Sequence, residues 1–340
     1  MTLSLDTAAE LLDFGGRIGA EAARDQLEGA VALHNILEKR RLAYLADEVG
    51  MGKTYVALGV VALFRHFAPD FRVLIIAPRA NIQRKWHKEL RNFVANNVQF
   101  ADLRVKAVHG GLARSVVLCD SLLELVREAA LDANRDFIAR MSSFSLGLGE
   151  DSERWRVRRN ELLKHLPWFD RNDFDLRNKD KFKDDYARAV CCALPVFDLV
   201  IVDEGHNLKH GFGESVAYRN RLLALALGHP GGKVNDQRFR TYRPRARRVL
   251  FLSATPLESD YRQLWNQLDV LGMGDSVTDL RRADVSDELK RRLVGAFLIR
   301  RVAALRVAGT RLTKNVYRRE WRSGGRPTMS RCGSPTTASA

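Results

Sequence analysis

Residues that could bind a polyphosphate lie close together in the segment LADEVGMGKT, residues 45–54. Gly50 and Gly52 allow the backbone to curl so that its N–H groups face phosphate oxygens. Lys53 could then reach the β- and γ-phosphates, and Thr54 offers a hydroxyl to Mg²⁺. The segment lies between an apolar strand candidate and a helix candidate, as a phosphate-binding loop requires. The alternative is a glycine-rich turn with a lysine at the surface.

Two carboxylates end a second apolar segment, FDLVIVDEGH, residues 197–206. A carboxylate at the end of a strand beside a phosphate loop can hold Mg²⁺, so Asp203 is the metal candidate together with Thr54. Glu204 is placed to orient and deprotonate an attacking water. His206 is the next polar group of this loop, and the alternative for it is a turn residue whose polar atoms bond to the backbone.

A third apolar segment, VLFLSATP, ends in small hydroxyl residues at positions 249–256. Ser253 and Thr255 could bridge the acidic pair and another surface by hydrogen bonds. The alternative is an ordinary end of a strand, with Pro256 as the stop. Together the three segments predict a nucleotide-hydrolysing site in which Lys53 and Asp203 converge on one triphosphate.

Short apolar segments alternate with helical ones along the chain, and this pattern has to position the site. Apolar residues at helical spacing predict helices at residues 7–40, Tyr55–Phe67, Gln83–Val94 and Ser121–Ala130. Strands are expected at Leu42–Leu45, Val73–Ile76, Val105–Val108, Val116–Leu118, Leu199–Val202 and Val249–Leu252. Buried strands alternating with helices favour an α/β fold with a parallel sheet, whose functional loops leave the carboxyl ends of the strands.

Composition divides the chain into three parts. We expect a nucleotide-binding region at 1–275 that carries a helical insertion at about 146–190, where the residues are rich in Asp, Arg, Lys and Asn. A basic helical linker is expected at 276–325. The small, polar residues 326–340 favour a disordered tail.

Charge and cysteine usage exclude several classes of protein. The 340 residues carry a net charge of +15, and from Lys290 onward 13 Lys and Arg face one acid. Such a basic segment could contact phosphates, and a solvated surface or a disordered tail is the alternative. No apolar run has the length of a membrane span, no signal peptide begins the chain, and none of the four cysteines forms a CxxC pair. A cytoplasmic protein without a membrane partner is expected.

The three polar segments, in this order, resemble the motifs of superfamily 2 helicases, above all the SWI/SNF-like DNA translocases among the DEAD/DEAH-box types. The first motif of that family is similar to LADEVGMGKT, including Asp47, where the generic phosphate loop has glycine. The segment RDQLEG, residues 24–29, resembles the family's adenine-reading segment, which implies that role for Gln26.

Further segments extend the resemblance over residues 20–305. The segment VLIIAPRANIQRKW, residues 73–86, resembles the motif that contacts the nucleic-acid backbone, with Pro78, Arg79 and Trp86 at its marked positions. The residues RMSSFS, 140–145, match the later strand-binding loop poorly. The segment SAT matches the third motif, and the residues FLIRR, 297–301, resemble the segment before a second motor lobe.

The resemblance implies a RecA-like P-loop lobe with bound ATP and Mg²⁺. Its partner would be DNA, double-stranded in preference, with RNA as the alternative. His206, Ser253 and Thr255 would couple the state of the nucleotide to the grip on the strand. Lys53, Asp203 and Glu204 would be catalytic, and Gln26, Gly50, Gly52 and Thr54 would also hold the nucleotide.

Family members need a second RecA-like lobe with arginines that reach the γ-phosphate. Only 39 residues follow Arg301, and no QxxGRxxR signature occurs. An arginine finger contributes about 10³–10⁵ in rate. We therefore expect a truncated or frame-shifted product of a longer motor gene, weak or inactive as an ATP hydrolase unless a separate chain supplies the second lobe. The alternatives are a non-catalytic nucleotide- or DNA-binding module or inactive fragment and, as a third possibility, a P-loop kinase or AAA+ ATPase.

Overall fold

The chain contains two compact units, residues 1–299 and residues 300–340, which are described separately. The computed structural model describes residues 2–16, 18–101, 116–146, 152–213, 218–257 and 260–301. It also describes the backbone of residues 304–307 and 310–313.

The first unit is built on one parallel sheet. In the described part of the chain this sheet has seven strands. They are β1 (Leu42–Leu45), β2 (Val73–Ala77), β3 (Val117–Cys119), β4 (Phe137–Arg140), β5 (Leu199–Asp203), β6 (Val249–Leu252) and β7 (Leu298–Ile299). Their order is β3-β4-β2-β5-β6-β1-β7, and every pair is parallel. Leu252 is level with Leu45 on one side and with Asp203 on the other, so the three polar segments leave adjacent strands at one edge.

Helices cover both faces of the sheet because successive strand residues point to opposite sides. The helices are α1 (Leu5–Leu11), α2 (Ala20–Arg40), α3 (Lys53–Phe67), α4 (Ala80–Asn96), α5 (Leu122–Leu131), α6 (Ser152–Leu163), α7 (Lys179–Ala193), α8 (Tyr218–Ala226), α9 (Tyr261–Asp269) and α10 (Asp287–Gly295). Ile75 and Leu250 pack with α1 to α4, whereas Ile76 and Phe251 share a second apolar cluster with α5 to α9.

The α/β fold class predicted from the sequence is confirmed, and five of the six strand candidates lie within a residue of a strand. The sixth, Val105–Val108, falls outside the described residues. The expected helical region at 7–40 contains two helices, α1 and α2, and between them Asp13 N–H donates to the Asn97 carbonyl at 2.8 Å. Strands β4 and β7 were not expected, and both are edge or near-edge strands of two to four residues.

The region at about 146–190, predicted to be a helical insertion on the sheet, packs within the first unit. It contains α6 and α7, and Phe182, Tyr186 and Val190 of α7 are fully buried in the same apolar cluster as the sheet residues. This helix therefore serves as the cover between β4 and β5. The boundaries at 275 and 325 stay predictions.

In the second unit, β8 (Ala304–Val307) and β9 (Thr310–Thr313) pair in antiparallel register. The tail at 326–340 lies outside the described residues. Among the described helices, none combines the length and the apolar character needed to cross a membrane.

Candidate functional site

The glycines of the phosphate loop adopt backbone angles that other residues avoid. Gly50 has φ of 90° and Gly52 has φ of 77°, both in the left-handed region. A Cβ atom on Gly52 would lie 2.3 Å from Nε2 of Gln26, so the glutamine predicted to read adenine packs directly against the loop. Helix α3 begins at Lys53 without a side-chain cap, which leaves its first N–H groups facing the loop, as an anion site requires.

Lys53 lies in the electrostatic field of the acidic pair, although the two are far apart in sequence. Its Nζ donates to the carbonyl oxygens of Asp47 at 2.8 Å and Glu48 at 3.1 Å. Burial lowers the pKa of Lys53, while the carboxylates of Glu204, Asp47 and Asp203 oppose this shift. The segments that carry Lys53 and the acidic pair thus leave the same edge of the sheet, and the carboxylates act electrostatically on the ammonium group.

Both carboxylate oxygens of Asp203 accept hydrogen bonds. Oδ1 accepts from the backbone N–H of Glu204 at 3.0 Å, and Oδ2 accepts from the indole N–H of Trp86 at 2.8 Å. Burial raises the pKa of Asp203, as does the nearby Glu204 carboxylate, whereas the Trp86 hydrogen bond and the Lys53 charge lower it. The two hydrogen bonds thus fix the orientation of the carboxylate, while its burial disfavours the charged form.

Glu204 combines a strained backbone with an accessible side chain. Its φ of 55° and ψ of 52° are left-handed, a conformation that costs a non-glycine residue free energy and that is common at functional sites. The carboxylate stays 39% exposed, with Oε2 3.2 Å from Nδ1 of His206. This is the exposure that a group acting on a water molecule needs.

His206 connects the acidic pair to the SAT segment. The same Nδ1 lies 2.9 Å from Oγ of Ser253, which also accepts from the Thr255 backbone N–H at 3.2 Å. Ser253 is fully buried. His206, Ser253 and Thr255 therefore form one hydrogen-bonded group, and their coupling role stays a prediction.

Helix α9 holds the loops after β5 and β6 by hydrogen bonds, a role that sequence reasoning missed. Gln267 accepts a hydrogen bond from Tyr44 Oη at 2.8 Å and donates to the Pro256 carbonyl at 2.9 Å. Asn266 donates to the Lys209 carbonyl at 2.8 Å. The sequence signal for this role was a glutamine next to Leu268 on the apolar side of a helix. In the structure Gln267 is 2% exposed and Leu268 is buried.

The residues predicted to contact nucleic acid separate into two environments. Pro78 is half-buried and Arg79 is exposed in the turn between β2 and α4, outside the hydrogen-bonded network. Trp86 is only 1% exposed, so its side chain faces the acidic pair rather than solvent. The exposed side of α4 instead presents Arg84, Lys85, Lys88 and Arg91.

The residues present fit ATP and Mg²⁺. Thr54, the second residue of α3, and Asp203 supply the oxygen ligands that Mg²⁺ prefers. Glu48 Oε2 is buried without a hydrogen-bond partner among the described residues, which adds an acceptor beside the loop. The described residues hold no group of three or more His, Cys, Asp or Glu that could bind a metal.

Three solved structures are similar to the chain. A Sulfolobus solfataricus SWI2/SNF2 ATPase core in complex with dsDNA is 13% identical, with a TM-score of 0.43 over 82% of this chain and 43% of that one. The Sulfolobus solfataricus SWI2/SNF2 ATPase core domain is 11% identical, with a TM-score of 0.44 over 84% of this chain and 44% of that one. The Pyrococcus furiosus Hef helicase domain is 13% identical, with a TM-score of 0.37 over 73% of this chain and 37% of that one. The chain spans less than half the length of each.

No curated protein sequence matches the chain. Residues 20–257 match the family model described as type III restriction enzyme, res subunit. The matched region contains Gln26, the phosphate loop, the acidic pair and the SAT segment, and it exceeds half of the chain. The chain belongs to this helicase family, which confirms the resemblance to the N-terminal lobe of superfamily 2 helicases.

Proposed function

We propose that this lobe binds ATP and Mg²⁺ and forms half of a nucleic-acid-dependent motor of the SWI/SNF-like type. The observation that carries the proposal is that the segments with Lys53 and with the acidic pair follow β1 and β5, the two strands that flank β6, and that Asp203 and Glu204 act electrostatically on Lys53. A non-enzymatic phosphate loop has no need for a strained carboxylate beside its lysine.

The geometry of the loop supports the proposed roles of these residues. Gly50 and Gly52 shape the loop for the phosphates, and Lys53 exchanges its two carbonyl partners for phosphate oxygens. Thr54 and Asp203 are the residues that would hold Mg²⁺, which neutralises phosphate charge when bound. Gln26, beside Gly52, hydrogen-bonds the adenine.

Glu204 orients the attacking water and accepts its proton. The exposed carboxylate can reach solvent, and His206 restrains one of its oxygens. Because His206 also contacts Ser253, a change at the carboxylate reaches the SAT segment through one imidazole ring. This contact is the proposed coupling between the state of the bound nucleotide and the binding of nucleic acid.

Nucleic acid binds on the loop edge next to β2. Arg79 and the basic side of α4 supply the cations. Double-stranded DNA is the proposed partner, and RNA is the alternative that a binding assay decides. A cytoplasmic location stays a prediction.

The second motor lobe is proposed to come from a separate chain or a longer parent. The described residues of the first unit form one α/β lobe, so hydrolysis by this chain alone should be slow. A non-catalytic nucleotide- or DNA-binding module is the second candidate, favoured by the same observation.

Phosphate release by the purified chain tests the proposal. It is measured with and without a DNA duplex, and with RNA in a parallel arm, against a Glu204→Gln control. A DNA-stimulated rate above that of Glu204→Gln supports an enzyme. Binding of ATP or of nucleic acid with equal rates of phosphate release supports the module, and a chain that binds neither ATP nor nucleic acid contradicts both.

A further inference from the structure

One hydrogen bond joins helix α4 to the acidic pair across 117 positions of sequence. The indole N–H of Trp86 donates to Oδ2 of Asp203 at 2.8 Å, and Trp86 is 1% exposed. A buried indole N–H needs an acceptor, and a backbone carbonyl would suffice. In this chain the acceptor is the carboxylate that the proposed function assigns to Mg²⁺.

Gln83, one turn earlier on the same side of α4, shows the contrast. Its Nε2 donates to the backbone carbonyls of Cys119 at 3.1 Å and Ile138 at 2.7 Å. Gln83 thus anchors the helix to β3 and β4 through groups that have no chemical function. The Trp86 bond, by contrast, links α4 to the Asp203 side chain at the end of β5.

The other side of α4 is basic and exposed. Arg84, Lys88 and Arg91 follow at intervals of four and three residues, so they form one stripe. Trp86 is two positions from both Arg84 and Lys88, which places it on the opposite side of the helix. A rotation of α4 under a bound phosphate backbone would therefore move the indole N–H relative to Asp203.

We propose that Trp86 is a positioning residue, whose N–H holds the Asp203 carboxylate from the helix that binds nucleic acid on its basic stripe. This inference rests on the proposed function. Nucleic-acid binding and Mg²⁺ binding then act on the same hydrogen bond. Asp203 Oδ1 is held by its neighbour's backbone, so Oδ2 is the oxygen whose orientation the helix controls.

The unaltered chain provides the first test. With ¹⁵N-labelled tryptophan, its five indoles give one N–H signal each by NMR. The Trp86 signal is assigned by its loss in Trp86→Phe, or by elimination with variants of the other four if that variant does not fold. The Trp86 signal is expected to shift when Mg²⁺ is added to the ATP-bound chain, and also when a DNA duplex is added without nucleotide. The double variant Arg84→Ala, Lys88→Ala should lose the second shift and keep the first.

Trp86→Phe provides the second test, since it removes the donor and keeps an aromatic ring. Loss of such an outer partner typically weakens metal affinity about 10–100-fold. The Mg²⁺ concentration that half-saturates ATP binding should rise by about that factor. Trp168→Phe, at a tryptophan that is 49% exposed, should leave it unchanged. A purely structural tryptophan would alter stability but not this Mg²⁺ dependence.

The outcomes separate the inference from the proposed function. An unmoved Trp86 signal in a chain that binds ATP, Mg²⁺ and duplex overturns the inference, as does a Trp86→Phe variant with the Mg²⁺ dependence of Trp168→Phe. Failure of the unaltered chain to bind ATP at any Mg²⁺ concentration overturns the proposed function, and the inference with it.

Discussion

The imidazole Nδ1 of His206 lies 2.9 Å from the hydroxyl of Ser253, which places the acidic pair and the SAT segment in one hydrogen-bonded unit. The contact joins the loops after β5 and β6, two neighbouring strands. The Ser253 hydroxyl also accepts from Thr255 N–H. One buried oxygen therefore fixes two loops.

Ser253→Ala should destabilise the fold. It removes a fully buried hydroxyl together with its part-buried contacts to the Thr255 N–H and the imidazole, and the loss of such a hydrogen bond costs about 0.5–1.5 kcal/mol. Urea denaturation measures the loss. Ser276→Ala removes an exposed hydroxyl that donates to the Met273 carbonyl, and this control should change little. Equal stability of the two variants would contradict the bridge.

Gly52→Ala should impair both folding and nucleotide binding. The left-handed φ and the approach of Gln26 penalise any Cβ, with strain of about 1–3 kcal/mol. Gly295→Ala is the matched control, because a Cβ there meets nothing within 4 Å. Thermal unfolding and ATP titration are the measurements, and an ATP affinity of Gly52→Ala equal to that of the control would be inconsistent with the loop geometry.

Asp203 should make the metal-free fold less stable as pH rises. Its pKa is raised by burial, so the folded chain keeps a proton that the unfolded chain has released. Its stabilising contribution is present below the ordinary value of 3.8 and is lost as pH rises through the folded value. The free energy of unfolding of the unaltered chain should therefore fall relative to Asp203→Asn above that pH. A difference that stays constant with pH would contradict the shift.

Gln267→Ala should detach the loop at Pro256 from β1. Both amide atoms of Gln267 are bonded and buried, and leaving the Tyr44 hydroxyl and the Pro256 carbonyl unpaired costs about 1–3 kcal/mol. Gln263→Ala, on the same helix, is the control, because Gln263 Oε1 has no hydrogen-bond partner among the described residues. Chemical denaturation should show a loss for the first variant alone.

The sequence predicts the parts of the site that are local in the chain. Gly50, Gly52 and Lys53 follow one another, so their types and spacing suffice to predict a phosphate loop. The strand cores are also predictable, because β1, β2, β5 and β6 are continuous apolar runs buried on both faces.

Contacts between distant residues are not predictable in this way. Trp86 and Asp203 are 117 positions apart, and Tyr44 and Gln267 are 223 apart. Each partner alone is typical of an ordinary buried aromatic or helix residue. β7 has two residues, too few for a pattern, and pairs only because β1 offers a free edge.

The central claim is that Lys53 and Asp203 act on one bound triphosphate. A double-mutant cycle on Mg²⁺-dependent ATP affinity, with Lys53→Ala, Asp203→Ala and the double variant, tests it by isothermal titration. Because both residues serve one ligand, the cycle should show an interaction energy of about 0.5–3 kcal/mol. Additive effects, within about 0.3–0.5 kcal/mol, would show that the two side chains serve separate sites.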